Sequence, residues 1–545
     1  MNKKWSKLMA VSSIMSLLLV SACGPAAKEA APASAGGTEP AKQAAGNKSM
    51  YIGISSAPGS MNPVNLTDNS AIYIDNIIFM PLMEPDESFQ FQPRLADSIE
   101  TKDNQTYTVK LNPKVKWTDG QPVTAEDVIF TISIMGNSKT ITGNTTFLSI
   151  LDGFNNAGKY EDGKTEVPGV KKIDDHTLEF HTKQPTDPTF FKEQVAKNVR
   201  TLPQHVLKDV SPAAFHQAEF AQKLNVSDGA FKFVNYAKDQ YVELEANKDY
   251  FLGAPKLDKL YFKIMPASNL VAQLQTGEIQ MNVTGIGNIA VEDFERVKNM
   301  SNVTTKMEKP FNSQFMVYNV KTIANPKVRQ AILYAINRKL MVDNLLKGEG
   351  EITDVPYTSV HPYYNKDLQV YPYDPEKAKQ LLKEAGWDSS TTLRFAVPTG
   401  NKVREQSADI IAENLRAVGI KAQIQKYDFP TLLQKGRSHD FDLLLSGMVF
   451  NLDPDVSPFF QTNGPNNSSG YSSPEMDQLL QQGKNEADPA KRKVIYDQIQ
   501  QLIVKDLPQV TLYADSRLKA ISKKVKVGEP RVLGMFINVH EWDLE

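Results

Sequence analysis

A single cysteine, Cys23, stands in a chain of 545 residues, so no disulfide can close within it and the fold must be held by packed apolar surface. It ends the run Leu17-Leu18-Leu19-Val20-Ser21-Ala22-Cys23, after a start that carries Lys3, Lys4 and Lys7. Residues 8–20 are nearly all apolar, yet that stretch is too short to cross a bilayer, which needs about 20 residues. A basic start, a short apolar core and small residues before the cut predict a secretory signal over residues 1–22 that is removed. Residues 23–49 are mostly Ala, Pro, Gly, Ser, Lys and Glu, with no aromatic side chain. Such a segment buries too little surface to offset chain entropy and reads as a flexible tether. Ordered structure is expected from Tyr51-Ile52-Gly53-Ile54, where apolar density first rises. The formal charge is −2, and loss of the leader removes three lysines and no acid, leaving −5, which argues against nucleic acid as a partner. The rest of the chain exceeds what one core supports, so roughly two or three domains are expected.

Past the tether, strand-like and helix-like patterns alternate with Pro and Gly between them, which predicts a mixed α/β fold. Tyr107-Thr108-Val109-Lys110-Leu111 alternates as a half-buried strand does, and Trp117-Thr118-Asp119-Gly120 supplies a turn. Thr124 with Asp127 three residues on predicts a capping box, followed by the apolar stripe Val128, Ile129 and Ile132. Asn325-Pro326 opens a second helix, with Val328, Ala331, Ile332, Ala335 and Ile336 on one face. Asp374-Pro375 opens a third, which runs through Ala378, Leu381, Leu382 and Ala385 to a stop at Gly386. Phe441-Asp442-Leu443-Leu444-Leu445 is a strand candidate leading into residues 447–460, and the end of a sheet strand is where α/β proteins place ligands.

Reaction machinery is not evident. The sequence has no His-Glu-x-x-His helix, no Gly-x-Ser-x-Gly elbow and no Gly-x-x-x-x-Gly-Lys loop. Ser516-Arg517-Leu518-Lys519 has the Ser-x-x-Lys spacing of penicillin-recognising enzymes but lacks the Ser-Asp-Asn and Lys-Thr-Gly companions. Seven histidines are scattered without the spacing of metal ligands. The expectation is a binding protein and not an enzyme, with no cofactor.

Two resemblances sharpen this. Val20-Ser21-Ala22 before Cys23 resembles the bacterial lipobox, which implies diacylglycerol on the Cys23 thiol and a membrane anchor on the extracytoplasmic face. The second rests on blocks that follow one another along nearly the whole chain after the tether: Leu95-Ala96-Asp97-Ser98, Trp117-Thr118-Asp119-Gly120-Gln121-Pro122-Val123-Thr124-Ala125-Glu126-Asp127-Val128, Gly229-Ala230-Phe231-Lys232-Phe233, Leu274-Gln275-Thr276-Gly277-Glu278-Ile279 and Gly470-Tyr471-Ser472-Ser473-Pro474-Glu475-Met476-Asp477. They resemble the solute-binding proteins of oligopeptide, dipeptide and nickel ABC importers. That family implies an α/β, two-lobed periplasmic-binding-protein type 2 fold with an extra domain inserted in the first lobe. The first lobe would use residues 50–85, 195–310 and 508–545, the insert 86–194 and the second lobe 311–507. It also implies a monomer that encloses an oligopeptide by hinge closure and delivers it to ABC transporter permease subunits.

By the same resemblance, ligand contacts are expected from Ser60, Met61 and Asn62 in a loop after the first strand, from Phe147 in the insert, and from Asn312 and Gln314 near the crossing between lobes. Residues 447–455 match a segment that, in peptide-binding relatives, carries an aspartate facing the ligand's amino terminus. Phe450 stands at that position here. An enclosed ammonium without a counter-charge costs several kcal/mol, so Asp453 or Asp455 takes over, or the terminus is not held there, or the ligand has no ammonium. Asp453 reads equally as a turn or helix cap beside Pro454. Met448 and Phe450 read as an apolar wall or as core, and Asn451 lies between them and Asp453. Family members for nickel chelates, haem, opines and oligosaccharides, and a peptide-signal receptor without transport, are the alternatives.

Overall fold

A computed structural model describes residues 48–160, 167–449 and 452–545. The leader and Cys23 lie outside these residues, as do Phe450 and Asn451. The first strand is Ser49–Ile54, two residues ahead of the expected start. Ser49 already sits in register with Lys259, and the Lys48 ammonium reaches Asp543 at 2.6 Å, so the last residues read as tether are part of the body.

Local signals formed the elements they predicted. Ala125–Gly136 is a helix, and Asp127 Oδ2 accepts from the Thr124 N–H at 2.9 Å, closing the capping box. Pro326–Ala335 is capped by Asn325, and Pro375–Glu384 by Asp374. Gly386 lies beyond the latter at φ +66, where a left-handed backbone favours glycine. One boundary moved. The strand expected over residues 441–445 is Leu443–Val449, because Asp442 is diverted to accept from the Arg394 N–H at 2.7 Å while Met448 and Val449 pair with Ser313 and Asn312.

The main sheet runs in the order Lys421–Tyr427, Thr392–Pro398, Leu443–Val449, Val303–Tyr318, Gln509–Ser522, Met281–Asn282, Ser49–Ile54, Lys259–Ile264, Tyr241–Ala246 and Phe231–Ala237, with Gly350–Glu351 pairing beside Gln509–Ser522. Two long antiparallel strands, Val303–Tyr318 and Gln509–Ser522, carry it from one half to the other. Residues 303–308 of the first pair with 517–522 of the second, and residues 312–317 with 509–515, with a register break between Glu308 and Asn312. Such a break bends the strand and re-aims side chains.

Separate apolar cores lie on the two sides of that break. Met50, Ile52, Leu260 and Phe262 belong to one; Met316, Ile332, Phe395, Leu443 and Val510 belong to another. The smaller four-stranded sheet, Ala96–Thr101, Thr106–Leu111, Thr177–His181 and Val170–Asp174, packs Tyr107, Val109 and Leu178 into the same core as Ile52. It is thus continuous in packing with the first half. No helix of the described residues is long and apolar enough to cross a membrane.

Candidate ligand-binding cleft

The register break places four polar side chains together. Asn312 stands opposite Asp515 on one neighbouring strand and Val449 on the other. Its Nδ2 donates to Asp515 Oδ1 at 2.7 Å, and Gln314 Nε2 donates to the same oxygen at 3.1 Å. Gln314 Oε1 in turn accepts from Arg404 Nε at 2.7 Å, on the helix Lys402–Ala417. Arg517, two residues beyond Asp515 and hence on the same face of its strand, holds Nε 3.8 Å from Asp515 Oδ2, too far for a hydrogen bond.

A cavity of about 270 Å³ opens here, walled by Asn69, Tyr73, Asn312, Met448, Asp515 and Arg517 among others. Asn69 and Tyr73 come from the helix Asn69–Ile78, on the first half, and Met448 from the second. Burial pushes the Tyr73 hydroxyl above its ordinary range, against the pull of Lys197 and Arg517, so it stays a neutral O–H. Gly285, beside Arg517 on the same wall, holds a left-handed backbone at φ +95 that favours glycine. Glu308, also on the wall, is buried and paired to the buried Lys519 at 2.9 Å. An apolar cavity of about 220 Å³ walled by Phe315, Val317, Leu432 and Phe459 shares Met448 with the first.

A family model described as bacterial extracellular solute-binding proteins, family 5 Middle, matches residues 90–470, which is well over half of the chain. The chain belongs to family 5. Over 99% of both chains it is 29% identical to the oligopeptide-binding protein AppA of Bacillus subtilis. The solved structure of that protein in complex with a nonapeptide superposes with a TM-score of 0.75 at 27% identity, over 92% of this chain and 99% of the other. The Listeria monocytogenes ABC transporter substrate-binding protein CtaP superposes at 0.80, with 26% identity over 91% and 99%. The expected two-lobed type 2 α/β fold is the fold of this family 5 protein.

Within the family 5 protein, the expected contact residues separate. Asn312 and Met448 line one cavity, and Gln314 joins Asn312 in donating to Asp515. Ser60 Oγ instead accepts from the Asn62 N–H at 3.1 Å, and Asn62 Oδ1 accepts from Val64 N–H at 3.2 Å. These residues close their own turn, with Met61 packed in the core. Phe147 is buried and lines, with Asn144, Thr146, Pro63 and Lys197, a different cavity of about 210 Å³. Phe450 and Asn451 lie outside the described residues.

Asp453 is engaged within its own half of the chain and with Arg492. It is 4% exposed, its Oδ1 accepts from the Asp455 N–H at 2.9 Å, and its Oδ2 lies 2.7 Å from Arg492 Nη1. Burial lifts its carboxyl to about 7, with Arg492 opposing. Asp455 is spent likewise, on the Ser457 N–H at 3.0 Å and the Lys484 ammonium at 3.5 Å. The Ser-x-x-Lys spacing is accounted for by a strand, in which positions three apart point to opposite faces; Lys519 goes to Glu308 and Glu529. Asp515, Arg517 and Tyr73 were missed. The available signal was Tyr513-x-Asp515-x-Arg517, a period-two polar series after the apolar Val510 and Leu512.

Proposed function

We propose that this family 5 protein is a receptor that closes on oligopeptides between its halves and hands them to the permease of an ABC importer, held to the membrane by lipid on Cys23. The lobes follow the bounds the sequence suggests, with residues 50–85, 195–310 and 508–545 in the first, 86–194 inserted in it and 311–507 in the second, except that residues 509–515, which pair with 312–317 and pack Val510 and Leu512 into the second core, go with the second lobe; the hinge lies at the break between Glu308 and Asn312.

One observation carries the ligand class. The strand Leu443–Val449 pairs along one edge with Asn312–Tyr318, but on its other edge Thr392–Pro398 reaches only Leu443 and Leu444. Among the described residues no strand pairs with residues 445–449 on that side, and this open edge ends at Met448 and Val449, both on the cleft wall. An open edge offers alternating N–H and C=O groups, the pattern that an extended peptide of any sequence can satisfy by adding as a strand. The neighbouring apolar cavity can house a side chain, with water completing polar contacts where the fit is loose. The likeness to AppA, whose structure holds a nonapeptide, supports the same reading.

Mass spectrometry of ligands released from the purified protein tests it. Peptides are the expected result. Recovery of only glycans, haem or metal chelates would contradict the proposal and favour the other family ligands.

A further inference from the structure

We infer that Asp515 is the residue that selects for a free amino group on the ligand, serving as counter-charge to an enclosed ammonium from the crossing strand and not from the 447–455 segment. The inference deepens the peptide reading and rests on it.

An ammonium enclosed between the halves needs a carboxylate, since an unpaired buried charge is costly. The acids near the open edge and the crossing can be taken in turn. Asp453 is consumed by Arg492 at 2.7 Å. Asp455 is bound to Ser457 and faces Lys484. Glu308 is held by Lys519 at 2.9 Å. Asp515 differs in two respects. Its polar partners on Oδ1 are the neutral amides of Asn312 and Gln314, which fix the carboxylate's orientation without cancelling its charge. The cation nearest its other oxygen, Arg517, stands off at 3.8 Å.

An ionised carboxylate has about four acceptor positions. The two amides use one oxygen, which leaves Oδ2 to accept a charge-assisted hydrogen bond from an incoming N–H. The carboxylate and guanidinium of residues 515 and 517 both line the cavity and retain about a fifth to a quarter of their side-chain exposure. Asp515 and Arg517 thus present one acid and one base from the same strand, beside Lys309 on the same wall: a bound ammonium takes Asp515, and Arg517 is left to face ligand carbonyl or carboxylate oxygen. Gln314 is a positioning residue, held from behind by Arg404.

The test is competitive capture. The purified protein is mixed with equal amounts of a randomised nonapeptide pool and the same pool acetylated at its amino termini, and retained peptides are released and counted by mass spectrometry. The native protein is expected to retain the free-amino pool about 10- to 150-fold more strongly, the ratio of one charge-assisted hydrogen bond. Asp515→Asn, which keeps the shape and both amide neighbours, is expected to retain peptides while that preference collapses. Equal retention of both pools by the native protein overturns the inference but leaves the peptide reading standing. So does a preference that survives in Asp515→Asn. Retention of neither pool overturns the peptide reading, and the inference with it. The native arm requires no variant to fold.

Discussion

Replacing Arg492 with Met is expected to lower the stability of the protein by about 3–5 kcal/mol, the cost of removing one partner from a buried charge group. Arg492, on the helix Pro489–Asp506, is 0% exposed. Its Nη1 lies 2.7 Å from Asp453 and 3.1 Å from Asp187, and its Nε donates to the Gly483 carbonyl at 2.7 Å. The guanidinium also sits 5.6 and 5.4 Å from the ring centres of Tyr363 and Tyr496. Asp187 caps the helix Pro188–Phe191, whose Phe191 packs in the core of the first half, whereas Tyr496 belongs to a core built from residues 357–503. One guanidinium therefore ties together two separately packed regions. Met fills the stem's volume but leaves two buried carboxyls facing each other. Adding Asp453→Asn to Arg492→Met is expected to restore part of the loss, a coupling that a double-mutant cycle in urea reads directly. A loss below about 1 kcal/mol for the single variant would place these charges in solvent and not in the interior.

Stability is also expected to fall as pH rises from about 4 to 8. Asp75 is fully buried on the helix Asn69–Ile78. Arg200 Nε stands 3.4 Å from its Oδ2, and neither of its oxygens receives a hydrogen bond. Burial therefore lifts the carboxyl to about 8, with Arg200 opposing and Asp228 reinforcing the rise. Burial also lifts Asp228 to about 7, although the Met80 N–H donates to it. A raised carboxyl means the folded state holds the proton more tightly than the unfolded chain. Its stabilising contribution is complete below the unfolded value near 4, declines as pH climbs, and is gone above the folded value. At about 1.4 kcal/mol per pH unit, Asp75 accounts for a decline of about 5 kcal/mol across that interval. Asp103, held down to about 2 by the N–H groups of Thr106 and Gln105, has the opposite sign and acts only below about pH 4. Asp75→Asn keeps a neutral group at every pH, so its melting temperature is expected to fall less than the native protein's between pH 5 and 8, with Asp228 and Asp453 carrying the remaining decline. A native protein whose stability is flat or rising over that range would contradict the assignment.

How far the sequence led depended on the range of the interaction concerned. The Thr124–Asp127 box, the Asn325 and Asp374 caps and the stop at Gly386 are decided within a few residues, and each formed where it was read. The fate of Asp453 was not legible, because its partners Asp187 and Arg492 lie far along the chain on either side and only the fold brings them together. Its acidic neighbourhood gave equal support to a ligand contact and a turn. Ser60 and Asn62 are expected by resemblance to face a ligand from a loop, and their side chains accept from backbone N–H groups of their own turn, the usual local competition for Ser and Asn. Asn312 and Gln314 are singled out by resemblance, from their place near the crossing between lobes, while Asp515, their shared acceptor, is identified only once the register of two long strands is known.

In the proposed function two halves joined by crossing strands draw together around a peptide, and small-angle scattering of the purified protein with and without a peptide pool it retains tests this most directly. The radius of gyration is expected to fall on binding, as an interlobe cleft closes at the break between Glu308 and Asn312. An unchanged radius with peptide demonstrably bound would contradict it.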